Sequence, residues 1–316
     1  MKTSHPTLGA ISVAGVIACG MLALSVRAQI QPQRPQKKAP GTIRVKVELV
    51  DILASVIDSS GKPIPDLDVS SFELSEEGVP QKIELFEAQT SRPLDLALMV
   101  DASMSTYKDL KFENEAAARF ISQIVRPGDT LGVFEFSDGV TQLSNFSSDI
   151  PSLQAAVRRI SSGAGTPMYD AIVLGARALQ RRPEQRRRAI VLVTDAGETT
   201  SVSKFEDARR AAVAAETLLY SVVIRPVKNE SGRNTAGEHA LITITDSAGG
   251  NQFILDELSQ LDAMYDRINR ELRTQYLLGY YPNPEPPAGV TRHVQLKVKQ
   301  GYIVRHRSEY FVAGGD

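Results

Sequence analysis

The residues with the clearest capacity for chemistry are Asp101-Ala-Ser103-Met-Ser105, directly after the apolar run Leu94–Val100. Alternate residues of a tight turn can face one side, so one carboxylate and two hydroxyls would converge. All are hard oxygen donors, which suit Mg²⁺, Mn²⁺ or Ca²⁺ and not a soft metal. The D-x-S-x-S spacing is common by chance, and its place at the end of a buried strand gives it weight. Two further segments add donors. Ser162-Gly-Ala-Gly165-Thr166-Pro167 presents a hydroxyl ahead of a helix, and Val191-Leu-Val-Thr194-Asp195 ends a second apolar strand on a carboxylate. The candidate ligand set is therefore Asp101, Ser103, Ser105, Thr166 and Asp195. Three neutral hydroxyls with two carboxylates would leave a bound cation electrophilic and open to a third carboxylate from outside. The bland alternative for Asp101 and the serines is helix capping, and for Thr166 an ST-turn.

The elements that must position these groups alternate between strand and helix. Apolar strands are read at 94–100, 131–136, 189–193, 218–224 and 252–255, with a short partner strand at 140–143 after the Asp138-Gly139 turn. Helical patterns lie between them at 112–124, 152–160, 168–179, 205–215, 239–246 and 256–273. Such alternation predicts a doubly wound, mostly parallel sheet with helices on both faces. In these sheets ligands bind outside the carboxyl ends of the strands, where strand order reverses. The block of about 180 residues is an ordinary size for one domain.

Strand patterns also flank the block. Ile43–Ile57 alternates apolar and polar residues. Phe72–Leu74 and Ile83–Phe86 are short strands, and Glu77-Gly78 between them suggests a reversal. After the block come 276–281, 294–298 and 310–312, interrupted by the Pro-rich 282–287. Each flank alone buries too little to be stable, so they are expected to pair into one β-sandwich with the α/β block inserted. The division read from sequence is 1–28, 29–41, 42–92, 93–274 and 275–316.

The three donor segments resemble the metal-ion-dependent adhesion site of von Willebrand factor type A domains, over about 94–273, with Thr166-Pro-Met-Tyr-Asp170-Ala a specific match. The resemblance implies that Ser103, Ser105 and Thr166 would bind metal directly and that Asp101 and Asp195 would act mostly through water. It also implies that a partner's carboxylate would fill the open position. The flanks are similar to the VWFA-related exported proteins described from Acidobacteria, through Pro65-Asp-Leu67, Ser71–Gly78, Gln81-Lys-Ile83 and Tyr276–Tyr281. One departure stands out. The family usually has glycine after the second aspartate, where this chain has Ala196. Alanine strains that loop if the backbone needs a positive φ.

Residues 1–28 read as a secretory signal: Lys2 and His5, an apolar run over 8–26, then Val26-Arg27-Ala28 as a cleavage site. The run is also close to the length of a membrane anchor, and Val16–Cys19 loosely resembles a lipobox. Residues 29–41 are a Gln/Pro/Lys-rich tether. Cys19 is the chain's single cysteine, so cleavage after Ala28 leaves no thiol and no disulfide framework. Of the 316 residues 42% are hydrophobic and 23% charged, enough for a sizeable core, and the net charge of −1 argues against nucleic acid as a partner.

Other features have plainer readings. Arg181, Arg182 and Arg186–Arg188 look like a solvated helix end and loop. His239, His293 and His306 read as surface residues, and Tyr276, Tyr280 and Tyr281 as strand packing. Asn145 and Asn229 head sequons that matter only in a glycosylating host. The expected function is exported, non-enzymatic, metal-dependent binding of a protein or matrix carboxylate, through Mg²⁺ or else Mn²⁺ or Ca²⁺. A structural envelope component with a degenerate site is the alternative. A phosphoaspartyl enzyme is less favoured, because serines stand where a second close carboxylate should be, and the sequence has no P-loop, H-E-x-x-H or G-x-S-x-G.

Overall fold

The structure, a computed structural model, describes residues 49–104, 106, 110–225 and 234–312. The signal or anchor segment, the tether, Ser105 and Asn229 lie outside the described residues. The described chain begins with β1 (Val50–Ile57), β2 (Phe72–Glu76), β3 (Val79–Pro80) and β4 (Leu85–Glu87). The α/β block follows: β5 (Leu94–Asp101), α1 (Leu110–Ile124), β6 (Thr130–Phe136), β7 (Val140–Gln142), α2 (Ile150–Val157), α3 (Met168–Gln180) and β8 (Arg187–Thr194). It continues with α4 (Phe205–Ala214), β9 (Thr217–Ile224), α5 (Thr235–Ala248), β10 (Asn251–Leu255) and α6 (Leu261–Arg273). Four strands close the chain: β11 (Tyr276–Tyr280), β12 (Thr291–Val298), β13 (Ile303–His306) and β14 (Glu309–Phe311).

The central sheet has the order β10-β9-β8-β5-β6-β7, parallel except for the β7 edge. Both faces are covered, which is why its strands are apolar throughout rather than alternating. On β5, Leu94, Leu96, Leu98 and Val100 pack toward α1, α2 and α6, while Ala97 and Met99 pack toward α3, α4 and α5. The chain runs from β5 to β6 on one side and returns to β8 on the other. Strand order therefore reverses at β5, and the carboxyl ends of β5 and β8 open side by side there.

The flanking strands form two four-stranded sheets, β13-β1-β11-β4 and β14-β12-β2-β3. Each sheet combines strands from before and after the α/β block, and their inner faces share one core. Val50, Ile52, Ala54 and Val56 of β1 meet Phe72 and Leu74 of β2, Tyr276 and Leu278 of β11, and Val294 and Leu296 of β12. The Glu77-Gly78 turn joins β2 to β3, with both residues at positive φ, while β4 crosses to the other sheet.

Where the two layers meet, at the amino ends of the central strands, the sequence reading needs correction. Four of the five clustered arginines are anchored, not solvated. Arg182 and Arg186 bind the buried Asp95 through Nε at 3.0 and 2.8 Å. Arg187 and Arg188 are buried at the start of β8. Arg187 donates to Arg92 O and to Gln275, and Arg188 to Ala215 O and Arg182 O. They cap carbonyls that end neighbouring elements. His306 is half-buried rather than a free surface residue: its Nε2 accepts from Leu296 N at 3.1 Å and its Nδ1 lies 2.7 Å from Arg307 O. Burial pulls its pKa down.

Candidate metal site at the carboxyl end of the sheet

Asp101 is the last residue of β5 and is fully buried. Its Oδ1 accepts from Ser103 N at 2.9 Å, and its Oδ2 accepts from the Thr194 hydroxyl at 2.6 Å. The Asp101 carboxylate therefore ties the end of β5 to the end of β8. Gly163 N donates to Ala102 O at 2.9 Å, and Ser103 bridges Gly163, which brings the loop ahead of α3 against the first segment.

Thr166 is held by its backbone. Its N–H donates to Thr199 Oγ1 at 2.9 Å, and Thr199 N–H donates back to Thr166 O at 3.1 Å. No described residue bonds the Thr166 hydroxyl. A methyl group added to Gly197 would lie 2.8 Å from Asp195 Oδ1 and 3.5 Å from Thr166 Oγ1, so these two oxygens border one small space. Asp101, Ser103, Thr166 and Asp195 thus gather at the mouth of the β5–β8 crevice. Ser105, the fifth expected donor, is outside the described residues.

The supporting shell contains residues that the sequence reading left without a role. Thr194 fixes Asp101, and the only hint of it was its place beside Asp195. Asp170, in the first turn of α3, accepts from Val202 N at 2.9 Å and Ser203 N at 2.8 Å. Burial raises its pKa, but these bonds outweigh that and hold it below the usual carboxylate range. Glu198 accepts from Tyr169 N at 3.0 Å and from Ser201 N at 2.9 Å, capping the first turn of α3. The loop 198–203 is thereby docked on α3, and Thr199 is carried with it. Gly165 is required by close approach, since a Cβ there would lie 2.9 Å from Ser137 O.

Ala196 has φ +63° and is fully buried. The departure from glycine therefore falls at a position that does need a left-handed backbone, at about 1–2 kcal/mol of local strain for alanine. Two local bonds enforce the turn: Ala196 N–H to Thr194 Oγ1 at 3.1 Å and Gly197 N–H to Asp195 Oδ1 at 2.8 Å. From outside, α5 presses on it, and a Cβ on Gly237 would sit 1.9 Å from Ala196 O. Strain persists where surroundings over-determine the backbone.

Burial pushes the Asp101 pKa up to about 6; the bonds from Ser103 and Thr194 pull it back, and the charge of Asp195 adds to the rise. Among the described residues no lysine or arginine pairs with either carboxylate. No cluster of three His, Cys, Asp or Glu exists among the described residues. A ligand set here must accordingly be mixed, two carboxylates with hydroxyls. That donor chemistry fits a hard divalent cation, which would supply the missing positive charge.

Residues 96–198 match the model of the von Willebrand factor type A domain. The chain carries a von Willebrand factor type A domain. A search of curated proteins finds no match. Among solved structures, the chain is similar to a von Willebrand factor type A protein from Catenulispora acidiphila, with TM-score 0.50 and 12% identity over 84% of this chain and 74% of that one. It is also similar to the conserved hypothetical protein BatB from Bacteroides thetaiotaomicron, with TM-score 0.45 and 18% identity over 57% of this chain and 100% of that one. A third is the vWF domain of the type V pili tip protein Mfa5 from Porphyromonas gingivalis, with TM-score 0.43 and 12% identity over 57% and 95%. At 12% identity the likeness to the Catenulispora protein concerns the fold alone. Among the described residues no helix is long and apolar enough to cross a membrane.

Proposed function

We propose that the chain is an exported, non-enzymatic binding protein whose von Willebrand factor type A domain holds one divalent cation, of the Mg²⁺ type, and uses it to engage a carboxylate of a protein or matrix partner. Ser103, Ser105 and Thr166 are the direct ligands, and Asp101 and Asp195 support the ion, mostly through water. The observation that carries this reading is the pair of carboxylates at the β5–β8 crevice, bordered by the Thr166 hydroxyl and paired with no cation among the described residues. With few anionic donors, the ion stays electrophilic enough to attract an outside carboxylate. Nucleic acid is not the partner in this reading, given the balanced net charge. A membrane is met only if residues 8–26 remain as an anchor.

The test is retention of a partner from envelope or culture extract on the immobilised full chain, with Mg²⁺ and with EDTA. A species retained only with Mg²⁺, and lost with Asp101→Ala, is the expected result. The positive φ at Ala196 favours one second reading, a structural envelope component whose metal site has degenerated. Retention that ignores EDTA and Asp101→Ala would establish that reading instead.

A further inference from the structure

A groove of about 480 Å³ runs between α3 and α4. It starts beside the metal-site loops. Val202 lines it and lies three residues from Thr199, which clamps Thr166. Val202 is 92% exposed, the most exposed large apolar side chain among the described residues. Val173 and Ala211 continue the apolar lining away from the site. Farther along, Arg177 and Arg210 face the groove from opposite helices. Both are exposed, and neither forms an ion pair among the described residues. Asp207, the acidic residue of the lining, is already engaged by Lys204 N–H at 2.9 Å as the α4 cap. The groove therefore has an apolar start and a cationic far end.

We infer that this groove is the continuation of the partner-binding surface, and that it takes an extended acidic peptide segment of the partner protein. One carboxylate of that segment meets the metal site, an apolar side chain covers Val202 and Val173, and a second carboxylate reaches Arg177 and Arg210. The spacing follows from helix geometry. Arg177 lies nine positions into α3, about 14 Å along its axis at ~1.5 Å per residue. An extended strand covers that distance in about four to five residues. Two acidic residues separated by about four or five positions, with an apolar residue between, are the matching pattern. The surface charge works by complementarity at the rim and the metal by direct ligation, so the two contributions are separable. This inference rests on the metal-dependent reading proposed above.

The test is a phage-displayed library of random peptides, panned on the immobilised full chain in Mg²⁺ and eluted with EDTA. Eluted sequences should carry the two spaced acids and the intervening apolar residue. Synthetic versions should bind about tenfold more weakly to the Arg177→Glu, Arg210→Glu double variant, and still depend on Mg²⁺. Both arginines are exposed, so folding is not at issue. EDTA-eluted peptides with a single acid and no second preference, or equal binding to the double variant, would overturn the groove inference and leave the metal reading standing. If EDTA elutes nothing above background, the metal reading fails, and the groove inference fails with it.

Discussion

The two ends of the central sheet treat buried carboxylates in opposite ways. At the amino ends of the strands, Asp95 is fully buried yet bound by Arg182 and Arg186. Burial pushes its pKa up, and the bonds from Arg186, Thr130 and Arg182 overcome that and hold it below the ordinary value. Asp129 is paired with Arg273 there, and Glu271 with Arg305. At the carboxyl ends, Asp101 is equally buried but receives only an amide and hydroxyls, and its pKa rises to about 6. One end carries its own cations and is locked. Among the described residues the other end lacks them and is suited to take one from solution. The same sheet thus separates stability from binding along its strand axis.

The largest effect that could break this contrast is at the locked end. Asp95→Ala should destabilise the protein by about 3 kcal/mol, because two arginines lose a buried counter-charge, with metal affinity unchanged once folded. Urea unfolding with and without Mg²⁺ checks both parts. Next in size, Asp101→Asn should weaken divalent metal binding at least about 100-fold, while the metal-free variant gains about 1 kcal/mol at pH 7. Loss of stability comparable to Asp95→Ala would erase the distinction.

The pH dependence sharpens it. The folded pKa of Asp101 is raised, so ionisation opposes folding above about pH 6, and the metal-free protein recovers that stability as pH falls from about 6 toward about 4. The gap between wild type and Asp101→Asn should close over that window. Asp95 has the opposite sign: its stabilisation is complete above about pH 4 and is lost as pH falls below it. Metal affinity should fall about tenfold per pH unit below about 6, as the proton competes for Asp101. The smallest expected effect is Ala196→Gly. Relief at φ +63° is offset by a lost buried methyl and a freer unfolded chain, so the net change should stay within about 1 kcal/mol by thermal unfolding.

Much of this was legible in the sequence for a physical reason. β5, β6, β8 and β9 are buried on both faces, so their apolar runs stand out, and the donors at the ends of β5 and β8 could be placed with them. The four-residue β13 escaped because it is half exposed and carries Arg305 and His306 among its residues. The start of α6 was placed too early, since a short turn over 258–260 with its own cap at Glu257 precedes it. The arginine cluster misled because charge runs are usually solvated, and only the folded meeting of the α3–β8 loop with the start of β5 and the end of α4 reveals their carbonyl and Asp95 partners. Thr194 and Thr199 could not be assigned, because a hydroxyl's partner depends on which loops meet. Ala196 was the reverse case: the glycine usual at that position in the resembled family pointed to a backbone angle that the fold then required.

The account depends most on a cation being wanted where the sheet supplies none. Electron paramagnetic resonance of free Mn²⁺ during titration with the full chain measures this directly. The aqueous Mn²⁺ signal should fall with a stoichiometry of one per chain at neutral pH, be restored by excess Mg²⁺, and persist with Asp101→Asn. An undiminished signal with wild type, or equal loss with Asp101→Asn, would contradict the assignment of the β5–β8 crevice as the metal site.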